Sequence, residues 1–177
     1  SQFTVTDNIT VLNNTLFKVK RNVKVDKASS SDKGFSSQFS IVSGATGSTF
    51  SRYNLFAPGF LYRNNERNNP YENNPNLSSG SFNFRETRYG LPMFMAHSAA
   101  SKQTISLSHV NPKIKSGIDE KNNKWWMVSS SVQYGSLGAS IEKSHIAINY
   151  CYPSIEADIP RSHPVKVGQT HSYTLAI

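Results

Sequence analysis

From Leu16 to Lys27 the chain reads LFKVKRNVKVDK, alternating in character with a period of two. Successive side chains of a strand point to opposite faces, so Phe17, Val19, Val23 and Val25 share one side and Lys18, Lys20, Asn22 and Lys24 the other. A helix would scatter both sets around its axis. Arg21 interrupts the apolar side, which marks the strand as half buried or close to a sheet edge. A second alternation sets Ser144, Ile146, Ile148, Tyr150 and Tyr152 against His145, Ala147, Asn149 and Cys151, with the even-numbered face directed to a core.

The rest of the chain continues in this manner. Ser is the commonest residue at 27 of 177, Asn reaches 17, and runs of Ala, Leu, Glu and Lys are missing, so propensity opposes long helices. β-branched, aromatic or alternating segments recur at 15–26, 35–43, 48–56, 81–89, 103–109, 125–134, 141–152 and 165–176, which predicts about eight strands. Turn-rich pieces at 29–34, 43–47, 111–123 and 153–164 punctuate them without dividing the chain. The expectation is one all-β domain over 1–177, an antiparallel β-sandwich in the form of an eight-stranded jelly roll. An Asn-rich tract at about 63–79, carrying Pro70 and Pro75, is too long and polar for a hairpin turn and is expected as an exposed loop.

Several classes are excluded or disfavoured. Uncharged stretches at 34–51 and 125–141 are broken by Ser and Gly, so no membrane-spanning helix is expected. The first residues, SQFTVTDNIT, lack the basic start and apolar centre of a signal peptide, although a cleaved leader would leave no trace. A lone Cys151 forbids an internal disulfide and any cysteine zinc cluster. The residues SGATGSTF at 43–50 have no Lys and the wrong glycine interval for a phosphate loop. Ser98 follows His97 without a nucleophile elbow. His97, His109, His145, His163 and His171 show no metal-ligand spacing. Glu156 and Asp158 lie between Pro153 and Pro160, in an irregular acidic segment. No enzyme activity, cofactor or metal is therefore expected. Acceptor patterns for N-glycosylation begin at Asn8, Asn13 and Asn76, as chance provides in a chain this rich in Asn, Ser and Thr.

What remains is charge and aromatic placement. Nineteen Lys and Arg against eleven Asp and Glu leave a net charge of +8, which attracts polyanions. Lys18, Lys20, Arg21, Lys24 and Lys27 form the densest positive patch, either a phosphate-tracking strand face or a lysine-protected edge. Tyr62, Tyr71 and Tyr89 fall in loop-like places, and the neighbours Trp125 and Trp126 point to opposite faces of any strand they occupy. Two functions fit. The first is a self-assembling structural protein of a virion, a small coat or surface protein, forming homo-oligomers through Tyr62, Tyr71 and Tyr89 with the lysine face turned inward to nucleic acid. The second is an extracellular lectin- or adhesin-like module that stacks a glycan on Trp125 or Trp126, Tyr62 and Tyr71.

Overall fold

The computed structural model describes residues 1–59, 61–62, 81–86, 89–110, 134–154 and 162–177. Eleven strands run through them: β1 (Gln2–Asn13), β2 (Leu16–Lys27), β3 (Ser37–Thr46), β4 (Asn54–Ala57), β5 (Leu61–Tyr62), β6 (Ser81–Arg85), β7 (Met93–Ser98), β8 (Gln103–His109), β9 (Ser136–Glu142), β10 (His145–Tyr152) and β11 (Thr170–Ala176). Among the described residues the one helical element is a single 3₁₀ turn at Phe50–Arg52. The strands form an antiparallel sheet ordered β1-β2-β11-β8-β7-β4-β5 and a second ordered β3-β10-β9-β6. The all-β, two-sheet expectation holds; eleven strands are described where about eight were expected, and the strand expected at 125–134 lies, up to residue 133, outside the described residues.

Two of the additional strands, β9 and β1, have local causes. The expected strand at 141–152 is the end of one strand and the whole of another, because Lys143 and Ser144 take positive φ (48° and 66°) and turn the chain between Glu142 and His145. Two consecutive left-handed residues give the twist that a two-residue hairpin needs. β1 is an added strand: its apolar positions Phe3, Val5, Ile9 and Val11 alternate as in β2, but Asp7 interrupts them.

Between the sheets lie the fully buried side chains of Phe94 and Leu107 from one sheet, Leu137, Ile146, Ile148 and Tyr150 from the other, and Leu175 of β11. Each such aliphatic or aromatic side chain contributes about 1.5–3 kcal/mol when removed from water. The even-numbered face of β10 is core as expected, and Ala147 and Cys151 on its other face are buried too.

One buried carboxylate is set into this core. Glu86, directly after β6, accepts the Gly135 N–H at Oε1 (2.7 Å), while Oε2 lies 2.7 Å from His109 Nδ1 and accepts the Tyr150 hydroxyl at 3.4 Å. His109 Nδ1 is also 3.0 Å from the Tyr150 hydroxyl. The cluster ties β8 of one sheet to β6, β9 and β10 of the other. A Cβ at residue 135 would collide with the Tyr150 hydroxyl, so glycine is what lets this backbone N–H reach the carboxylate. Breaking one partner of a buried hydrogen-bonded pair strands the other. Glu86→Ala is expected to lower stability by about 3 kcal/mol or more in urea unfolding, with Glu86→Gln losing less because its amide oxygen still accepts from Gly135. A loss in Glu86→Ala of under about 1 kcal/mol, the scale of a surface pair, would contradict this.

Candidate functional site: the two faces of the N-terminal hairpin

β1 and β2 pair along their length, from Phe3 opposite Val25 to Val11 opposite Phe17, and the hairpin closes with Asn13 opposite Leu16. At the turn, the Asn13 side chain accepts the Thr15 N–H at 2.9 Å, a local bond that competes with further ladder pairing. β2 continues into the body of the sheet through β11, in register from Lys24 opposite Thr170 to Lys18 opposite Ala176.

The outer face of this three-strand ribbon follows from the register. Lys18, Lys20 and Lys24 are exposed on β2, flanked by Thr10, Asn8 and Thr4 on β1 and by Ala176, Thr174 and Thr170 on β11. Ammonium groups two residues apart on one face are spaced by about 7 Å, and the short neighbours leave them unobstructed. Lys24 is partly neutralised by Asp26 at 3.4 Å. Lys27 is exposed at the end of the strand, opposite Gln2 after a register shift.

Arg21 does not belong to that row. It lies on the opposite face, half buried, and grips Asp7 of β1 in a two-point bond, Nε to Oδ1 at 2.7 Å and Nη2 to Oδ2 at 2.6 Å. The same guanidinium donates to the Gln38 carbonyl (2.6 Å) and stands 5.0 Å from the centre of the Phe39 ring, so it latches the hairpin to β3 of the second sheet. The hydrogen bonds from Arg21 hold the Asp7 carboxyl below the usual carboxylate range. With its charge committed in this way, Arg21 is a latch and the polyanion candidates reduce to the lysines.

Beyond the latch, Val19, Val23 and Val25 of β2 are buried, whereas the β1 half of the inner face is bare. Every residue of β1 is exposed, including Val5 at 53 %, Ile9 at 66 % and Val11 at 65 %. Seven of the ten exposed large apolar side chains among the described residues sit on β1, β2 or their immediate flanks, the other three being Val42, Leu91 and Val167. Among the described residues β1 pairs with β2 alone, and none of them lays a strand against its other backbone edge.

The aromatic candidates separate. Tyr89 is buried in the core and donates its hydroxyl to the Leu137 carbonyl at 2.7 Å, so the expectation that it lines an interface is corrected: its side chain faces inward. Tyr62 lies on β5, opposite Phe56. Tyr71, Trp125 and Trp126 lie outside the described residues, as do Glu156 and Asp158. Among the described residues no group of three or more His, Cys, Asp or Glu is placed to hold a metal ion, and no helix is long and apolar enough to cross a membrane. Cys151 is a free, buried thiol whose pKa is pushed up by burial.

A histidine pair not singled out by sequence reasoning lies near the start of β1. His163 and His171 stack with centroids 3.8 Å apart, against Phe35 (5.4 and 5.5 Å), and Phe35 in turn meets Phe3 of β1 at 4.7 Å. Tyr152 closes the other side of His163 at 4.9 Å. Both nitrogens of His163 and Nε2 of His171 are buried without hydrogen-bond partners among the described residues. The rings thus pack as neutral discs. Burial first, and the neighbouring His171 second, push the His163 pKa down to about 3. The spacing of eight residues between them is no ligand motif, so only the fold brings them together.

Comparison with protein-family models, curated proteins and solved structures gives no match.

The histidine pair makes a signed prediction. An unfolded His takes its proton near pH 6.5 whereas folded His163 takes one near 3, so stability is full above pH 6.5 and falls as the pH drops through that window. Thermal unfolding from pH 7 to 4.5 is expected to show a falling midpoint, flattened in His163→Phe. The lowered Asp7, Asp26 and Asp32 carboxyls act below their ordinary value of 3.8, outside that range. An identical slope in wild type and variant would contradict it.

Proposed function

We propose that this chain is a structural subunit that assembles with copies of itself and holds a nucleic acid against the Lys18, Lys20 and Lys24 face, as a small viral coat or virion surface protein does. The observation that carries this reading is the division of one hairpin into a lysine row on the outer face of β2 and an uncovered apolar stripe on the inner face of β1. A lysine row in a chain of net charge +8 supplies sequence-blind attraction to phosphates. An apolar stripe of this extent on a polar protein marks a contact with another protein surface. The nested pairing of β2 with β11 and of β3 with β10 supports a wrap related to the jelly roll. In this reading the molecule performs no chemistry and carries no cofactor; its place is the virion.

The test is salt dependence. Binding of a fluorescent single-stranded oligonucleotide is measured from 50 to 300 mM salt for wild type and for Lys18→Gln/Lys20→Gln/Lys24→Gln. Each phosphate contact adds about 0.7 to the slope of log affinity against log salt, so the triple variant is expected to lose between about 1.4 and about 2 from the slope, the smaller loss corresponding to a Lys24 held by Asp26. Its circular dichroism should be unchanged, because all three side chains are exposed. An unchanged slope would overturn the nucleic-acid face.

A further inference from the structure

The exposed strand is self-complementary. Residues 3–11 read FTVTDNITV, symmetric in side-chain type about Asp7: Phe3 matches Val11, Thr4 matches Thr10, Val5 matches Ile9, and Thr6 matches Asn8. Its pairing with β2 is free of register shifts from Phe3 to Val11, so these nine residues form one regular edge. The stretch contains no proline and no lysine, the residues by which sheet edges repel another strand.

We propose that β1 pairs antiparallel with β1 of a second copy about a two-fold axis at Asp7, joining the two large sheets into one. This rests on the self-assembly reading and names its contact. In that register Val5 faces the partner's Ile9 and Phe3 its Val11 on the inner face, while Thr4 faces Thr10 and Thr6 faces Asn8 on the outer, so like meets like throughout. The charges also close. Asp7 is the one ionisable side chain of β1, and each copy brings its own Arg21 bonded to it, so two neutral pairs meet at the axis instead of two bare carboxylates.

A second copy suits the dimensions. Twelve residues of strand span about 40 Å, and pairing over that length with both side-chain stripes buries on the order of 1,000 Å² in all, the lower range of specific interfaces. The dimer is therefore reversible, a building step for larger assembly. It would also set the two lysine rows on one continuous outer face, three strand spacings or about 14 Å apart, which doubles the surface offered to a polyanion.

The test combines register and mass. In a Cys151→Ser background, Thr6→Cys and Asn8→Cys are made separately, mixed and oxidised. The mixture is expected to cross-link at twice the chain mass of 19.7 kDa, and each protein alone is not, since Thr6 meets its own counterpart only diagonally, beyond disulfide reach. Light scattering across a concentration series is expected to show a monomer–dimer equilibrium whose dissociation constant rises about 100-fold in Val5→Lys/Ile9→Lys, through like charges placed across the axis. Both replaced side chains are exposed in the single copy, so the fold is retained and circular dichroism checks it. A monomer at every concentration, cross-linking by either cysteine variant alone as strong as in the mixture, or an unaltered dimer in the lysine variant would each overturn the proposal. With the oligonucleotide slopes of wild type and Lys18→Gln/Lys20→Gln/Lys24→Gln compared at concentrations where both are monomeric, the assembly contact and the nucleic-acid face fail separately.

Discussion

The architecture depends on the insertion of β11 between β2 and β8. β11 carries ladder pairing on both sides, to β2 over seven residues and to β8 at Leu175 and Ala176, and the last residue, Ile177, exchanges backbone bonds with Phe17 at 2.9 and 3.0 Å. Apart from β11, the N-terminal hairpin is held by the buried Val19, Val23 and Val25 of β2, by the Arg21 latch on β3 and by the aromatic contact of Phe3 with Phe35. Its placement makes the hairpin a continuous extension of the large sheet, and fixes the face on which the lysines stand. Closing so long a loop in the chain is entropically costly and has to be met by the core that β11 completes, with Leu175 fully buried and Tyr173 nearly so.

Two buried histidine environments show how differently this sandwich treats polar groups. His109 is hydrogen-bonded within the Glu86, Tyr150 and Gly135 cluster, and there the polar atoms reinforce one another and join the sheets. His163 and His171 have stacking instead of hydrogen bonds, which suits neutral rings and penalises charged ones. The first cluster secures the centre of the molecule. The second sits where Phe35 meets Phe3, so acid weakens the molecule close to the start of the strand proposed to meet a partner.

How much of this was legible in the sequence depended on the range of the interactions involved. The alternation of β2 and the bounds of β8 followed from local pattern, because period-two character needs no partner to be visible. β1 did not, since Asp7 breaks its apolar face, and its reason is Arg21, fourteen residues away on the neighbouring strand. For the same reason local pattern groups Arg21 with the lysines: its carboxylate partner, Asp7, stands on a strand whose own alternation Asp7 interrupts. Tyr89 looked like a loop aromatic, whereas its hydroxyl finds a carbonyl 48 residues further on. Glu86, His109 and Tyr150 carry no motif at all, because three strands from two sheets bring them together.

The central claim is that the free edge of β1 is a contact between copies, and amide hydrogen exchange reads that edge directly. In a hairpin, alternate amides of β1 bond to β2 while the intervening set points to the open side. In dilute protein the outward set between Phe3 and Val11 is expected to exchange rapidly. At concentrations where the mass doubles, that set should become protected to the level of the inward set, with Val42, Leu91 and Val167 and their neighbours unaffected. Outward amides that stay equally fast at every concentration, or that are already protected in the isolated monomer, would contradict the account.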